Sequence, residues 1–281
     1  MITIQRPGRR PIGLAPLAHV PLLALVLFAL GPLVLLVLNA FKTDDEANYN
    51  PIGWPGSWHA ENFVRAWIDG GLGPAVRNSM IVSSATILGV CVVAGLGAYA
   101  IAKMRMRGAG FLTAYFLGTT TVPAQLFLVP LFFLWDHLHL LNLAGLTIIY
   151  IAVYTPFSMF LLRAYFIGLP TALEEAARLD GANELQVLWH VVVPLSKPAF
   201  LTVALIVGMW SWNEFMYAVT VLQQSSQLTV ALTYQNFTQR FSSNLAEQNA
   251  AGLLLVLPII VLYLLLQRRF IEGMTSGGLK L

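Results

Sequence analysis

Glu174, Glu175, Ala176, Ala177 and Asp180 lead into Gly181, and Pro194 stands thirteen residues further on. Carboxylates beside a small-residue stripe let a partner's cleft come close and meet its cations, which is docking chemistry; taken alone, the same residues also fit a plain surface hairpin. A second candidate is Glu214, the one fixed charge in the apolar run from Ala199 to Leu222, flanked by Trp212 and Asn213. A carboxylate in lipid costs about 3 kcal/mol even on forgiving scales, so Glu214 must face protein, water or a partner span. Two readings stay open: an interhelical hydrogen bond, or the wall of a substrate path. Gln125 and Tyr154 join the path candidates because they neighbour Pro123 and Pro156, where proline frees a backbone carbonyl beside hydroxyls able to satisfy it. Asp136, His137 and His139 do not make a metal site: neighbours two apart point away from each other on a helix. Cys91 is the only cysteine, which excludes an internal disulfide and a cysteine-based zinc site. No Gly-Lys dipeptide occurs, so no P-loop can hold a nucleotide here.

The elements that position these residues are membrane helices. Of 281 residues 57% are hydrophobic and 10% charged, with a mean hydropathy of +0.72, too few polar groups to cover a soluble surface. A net charge of +3 is too small for a nucleic-acid binder. Six runs are long enough to cross a hydrocarbon core of about 30 Å, at about 14–41, 78–102, 110–135, 143–162, 199–222 and 248–267. The first is too long for a cleaved signal and reads as a retained anchor. Twelve basic residues fall on one side of this topology, among them Arg6, Lys103, Arg105, Arg163, Arg178, Arg268 and Lys280, against Lys42, Arg65, Arg77 and Arg240 on the other. The positive-inside rule then makes both termini cytoplasmic, in a six-span domain over 14–270 with a cytoplasmic segment at 1–13 and a tail at 271–281. About 1.5 Å per residue from Ala199 places Glu214 roughly 22 Å up its span, in the outer half.

Between spans four and five lies a cytoplasmic loop at about 169–198, long for a compact bundle. Thr171 and Glu174 have capping-box spacing, and good helix formers run on to Gly181. Asn183 can cap a second helix, which must stop before Pro194. The outer loop from Gln223 to Asn249 mixes amides with rings, Tyr234, Phe237 and Phe241 among them. Such a mixture suits a wet protein interface or a neutral, polyhydroxylated ligand.

Glu175-Ala176-Ala177, three residues, Gly181, nine residues, then Val191-Val192-Val193-Pro194 resembles the EAA-x3-G-x9-I-x-L-P signature of permease subunits in bacterial ABC importers, with valines for Ile and Leu. Trp212-Asn213-Glu214-Phe215 and the tail from Arg269 to Lys280 are similar to the smaller permease of the maltose-type carbohydrate importers. The resemblance implies an all-α integral membrane protein of the type I ABC importer permease fold: six transmembrane helices in the inner membrane with a cytoplasmic coupling-helix loop. Glu174 to Gly181 would be the coupling helix in a groove of an ATPase subunit. Gly277, Gly278 and Lys280 would be the tail at the ATPase interface, and the loop with Tyr234, Phe237 and Phe241 would face a solute-binding protein. The implied partners are a second homologous permease, two ABC ATPase subunits carrying ATP and Mg, an extracytoplasmic solute-binding protein, a sugar and membrane lipid. This chain would hold no cofactor and catalyse nothing. Two alternatives are a permease for another solute such as a glycerol phosphate, disfavoured by few basic residues outside, and an ion-driven secondary carrier, which would leave the long loop without purpose.

Overall fold

A computed structural model describes residues 15–104, 106–241 and 244–278, with side chains at 19–104, 106–123, 125–241 and 244–264. Every regular element among the described residues is helical. Arg6, Arg9, Arg10, Arg105 and Lys280, on which part of the charge asymmetry rests, lie outside the described residues.

Four helices are long and apolar enough to cross a membrane alone: α1 (Ala15–Ala40), α4 (Leu72–Lys103), α7 (Leu143–Ile167) and α14 (Leu245–Gly278). Two bent pairs bring the count to as many as six. One is α5 (Ala109–Thr121) with α6 (Leu128–His137), bent by 86°. The 110–135 run is therefore a broken span, where a kink was expected. Val122 and Pro123 are extended, and the hydroxyls of Thr119, Thr120 and Thr121 turn back onto the carbonyls of Phe116, Leu117 and Gly118 at 2.7–2.8 Å. Those hydroxyls supply donors where the helix ends. By contrast α7 passes through Pro156 as one helix, and its neighbouring hydroxyls bond Ile151 and Tyr154, leaving aside the Ala152 carbonyl that proline frees.

The other pair joins α9 (Glu184–Val187), a π-helical turn at Leu188–Val192 and α10 (Val193–Leu195) to α11 (Lys197–Asn213) at 79°. Pro194 does not stop this helix as expected. It sits in the first turn of α10, where a missing N–H goes unnoticed, after a π-turn has reset the register. The 199–222 run is also broken, because α11 ends at Asn213 and the six-residue α12 (Met216–Val221) follows.

α4, α7 and α11 form the packed centre. Small residues let them approach: a Cβ on Gly89 would lie 2.3 Å from the Ile151 side chain, and one on Gly208 3.2 Å from Ile87. Ser211 donates to Ser83 between α11 and α4 at 2.9 Å. A second cluster gathers α3 (Glu61–Asp69), α13 (Val230–Arg240) and α14 around Trp212, whose indole donates to the Leu255 carbonyl at 3.1 Å. At this end, α2 (Asp44–Tyr49) is tied to α14 by Asp44, which accepts the Leu245 amide at 2.6 Å. α8 (Thr171–Leu179) stands at the opposite end.

Candidate functional site: a clamped hairpin and a broken span

α8 turns into α9 at Gly181, whose φ of +89° is open to glycine and strained for other residues. Asn183 and Gln186 then cap α9 reciprocally, each side chain accepting the other's amide at 2.8–2.9 Å. The Thr171 and Glu174 capping box expected for α8 does not form, because Pro170 occupies the cap and Glu174 turns elsewhere.

Glu174 is 3% exposed and pairs with Lys103 of α4 at 2.7 Å. Arg178 lies 3.6 Å from the other Glu174 oxygen and grips Glu184 with two nitrogens, at 2.8 and 3.0 Å. The Tyr99 hydroxyl of α4 donates to Glu184 at 2.5 Å. Two cations and two carboxylates thus close an electroneutral cluster that fastens both hairpin helices to α4. Arg178, then Tyr99, hold the Glu184 carboxyl down to about 2 from its usual 4.5. Its pairing contributes in full above that usual value and is lost only as pH falls toward about 2. The hairpin's attachment is therefore expected to stay constant across the neutral range. Protection of the residue 184–187 amides, measured against the base-catalysed exchange rate of an unstructured chain at each pH, that fell between mildly acidic and neutral buffers would contradict this.

This geometry corrects two expectations. Glu174 faces inward and positions the hairpin, and Ala177 packs half-buried against the central core, so the two alanines do not form one outward face. Exposed on the hairpin are Ala176, Glu175, Asp180 and Pro194, with Leu173 and Leu185 about half exposed and Leu179 at 89%, whereas half-exposed Trp189 borders an apolar cavity with Leu88, Cys91 and Val92 of α4.

At the other candidate site the chain is extended at Glu214. Its carboxylate accepts the Tyr150 hydroxyl of α7 at 2.6 Å and the amides of Tyr217 and Ala218 at 2.9 and 3.1 Å. The interhelical hydrogen bond, one of the two readings open for Glu214, is present, and the same group satisfies the first turn of α12. Tyr154 is buried between Tyr150 and Trp210, with ring centroids 5.6 and 5.5 Å away. Gln125 stays exposed on the turn between α5 and α6. Tyr217 instead borders a cavity of about 290 Å³ with Thr119, Thr120 and Pro156, at the break in the third span.

Trp212, Asn213, Tyr234 and Gln235 share a second cavity of about 350 Å³ with residues of α1 and α14. The rings expected to face a binding protein turn inward: Phe237 is 3% exposed and stacks on half-buried Phe241 with centroids 4.5 Å apart. The amphipathic period of α13 puts Gln235, Asn236 and Gln239 outside instead. Exposed rings occur on the segment before α4, at Tyr49, Trp54 and Trp58. Gly277 and Gly278 close α14 rather than form a loop, and Lys280 lies outside the described residues. Among the described residues no group of three or more His, Cys, Asp or Glu could hold a metal.

Lys103, Tyr99, Arg178 and Glu184 escaped sequence reasoning, as did Tyr150 and Tyr217. A basic residue at the end of a span beside an acidic loop was the one available signal.

Apolar spans, two of them broken, with an ion-clamped helical hairpin at one end, define a multi-pass helical membrane protein. Residues 92–276 match the family described as binding-protein-dependent transport system inner membrane component, and the chain belongs to that family. It is 33% identical over 250 residues to the probable ABC transporter permease protein YurM of Bacillus subtilis, covering 89% of this chain and 83% of that one. It is 30% identical over 267 residues to the diacetylchitobiose uptake system permease protein NgcG of Streptomyces coelicolor, covering 94% and 88%. A chain from the crystal structure of a bacterial ABC transporter involved in the import of the acidic polysaccharide alginate shares the fold. Its TM-score is 0.80 at 23% identity, over 94% of this chain and all of that one. The protein is thus a multi-pass permease subunit of an ABC importer, without an ATPase site of its own.

Proposed function

We propose that the chain works beside a second homologous permease, two ATPase subunits that hold ATP and Mg, and an extracytoplasmic solute-binding protein, to bring a sugar or oligosaccharide into the cytoplasm. Both termini and the hairpin are cytoplasmic in this reading, and the hairpin rests in a groove of an ATPase subunit. The observation that carries it is the set of uncovered apolar side chains on the hairpin, Leu173, Leu179 and Leu185, together with exposed Glu175 and Asp180, while Glu174 is turned in. Apolar side chains on a segment outside the membrane call for a protein cover, and the two acids suit cations at its rim. The sugar assignment draws support from the uptake system of NgcG and from the rings and amides of the cavity at Trp212, Asn213, Tyr234 and Gln235. With Glu214 next to Trp212 and Asn213 in sequence and Tyr154 packed on Trp210 at 5.5 Å, that cavity belongs to the substrate path. The binding protein docks on the outer face, over the exposed amides of α13 and the rings at Tyr49, Trp54 and Trp58.

Gly181→Val places a branched side chain at a left-handed position, at a cost of about 1–2 kcal/mol. Together with Glu175→Ala it should leave the chain inserted at normal levels and lower uptake by about tenfold or more, equivalent to ~1.4 kcal/mol of lost coupling. Unchanged uptake by both variants would overturn the docking assignment. Screening the cognate binding protein against mono- and oligosaccharides names the cargo, and a partner that binds none of them overturns the sugar assignment.

A further inference from the structure

The hairpin is joined to the bundle in two ways. Through the chain it meets α7 at Gly168–Pro170 and α11 at the bend of 79° near Ser196. Through side chains it meets α4 alone by charge, with Lys103 on Glu174, Tyr99 on Glu184, and Arg178 bridging the two acids. A bent joint yields under load. A buried ion pair with no free partner on either side resists displacement, since separating it strands charge away from water.

α4 also holds a partner by polar contacts at its far end. It runs unbroken for 32 residues, roughly 48 Å. Near its start Asn78 donates to the carbonyls of Ser226 and Leu228, both at 3.0 Å, and the Ser79 hydroxyl accepts the Val230 amide at 2.9 Å. Those three groups anchor the approach to α13, whose Tyr234 and Gln235 line the cavity shared with Trp212. Asn78 and Ser79 are 7% and 1% exposed, so these bonds are sheltered from water. One continuous helix therefore has polar fastenings at both ends, to the hairpin and to the segment at 226–230.

We propose that α4 is a rod that carries movement of the hairpin to the outer segment at 226–241, with Lys103 and Tyr99 as positioning residues at its inner end and Asn78 at its outer end. This rests on the docking assignment above, because the hairpin must be moved by something. Opening or closing of the wall formed by Tyr234 and Gln235 then follows nucleotide binding roughly 38 Å away along α4.

The test uses the complete importer in nanodiscs, with an environment-sensitive fluorophore at Gln235→Cys in a Cys91→Ala background. ATP added to the unaltered assembly should shift the emission. Tyr99→Phe and Asn78→Ala, each removing hydrogen bonds at one end only, should shrink that shift at least fivefold at equal amounts of assembled protein. Lys103→Met should shrink the shift likewise, whereas Lys103→Arg, which keeps a cation facing Glu174, should retain it, a rescue that a merely structural loss of packing would not predict. A full shift in both Tyr99→Phe and Asn78→Ala overturns the rod while leaving ATPase docking intact. A full shift in Lys103→Met also overturns it. Absence of any ATP response in the unaltered assembly overturns both the rod and the docking assignment.

Discussion

Replacing Glu214 by alanine is expected to remove at least about 3 kcal/mol of stability, since each stranded donor costs on the order of 1–3 kcal/mol. Three donors lose their acceptor at once: the Tyr150 hydroxyl and the amides of Tyr217 and Ala218. Glu214→Gln keeps one accepting oxygen and should cost less, about 1–3 kcal/mol. Tyr150→Phe should destabilise the parent chain but add nothing once Glu214→Ala is present, because the two groups share one bond. Thermal unfolding of detergent-solubilised protein reads all four. Glu214→Gln that unfolds normally yet abolishes uptake would show that the charge serves the solute, not the fold.

Lys42→Met is expected to be the second large effect. The Lys42 side chain is 0% exposed, and its ammonium donates to Asn39 Oδ1 at 2.9 Å and to the Asn50 and Pro51 carbonyls at 2.7 and 3.2 Å. Its own carbonyl accepts from Asn62, which also holds the Ala40 carbonyl. This lysine fastens the segment before α4 over the end of α1. Methionine has nearly the length and no donor, leaving three acceptors unpaired at a cost of about 3 kcal/mol or more. Protease added to the face that carries the 43–60 segment, the outer one in the proposed topology, should cut it about a hundredfold faster than in the parent, as expected when local opening becomes easier by about 3 kcal/mol. Equal cleavage rates would mean that packing alone holds the segment.

The spans were legible because lipid imposes one rule on every residue that meets it, and a run such as Leu143 to Leu162 satisfies it without reference to any neighbour. The corner at Gly181 and the cap at Asn183 were legible for a similar reason, since both are decided within four residues of chain. What stayed hidden was decided at long range. Glu174 and Glu175 are adjacent acids on one helix, and nothing local says which turns inward; Lys103, 71 positions away, decides it. Phe237 reads as a binding ring until the neighbouring apolar groups around Trp212 claim it. The break at Glu214 needs Tyr150 from another span to make it tolerable. The π-turn before Pro194 was hidden differently: proline was correctly read as lacking a donor, but a widened turn upstream lets the helix restart with proline in its first turn.

α1 contrasts with all of this. None of its most apolar window is buried within the chain, and among its described side chains only Leu38, Asn39 and Ala40 at its C-terminal end are enclosed. From Val20 to Leu30 every side chain is left exposed by the chain and meets hydrocarbon or another subunit, so composition matters there more than order. Permuting the ten residues other than Pro21 should be silent, while a single arginine at Leu25 would be refused by the bilayer. In that stretch the gene spells a solvent preference rather than a shape.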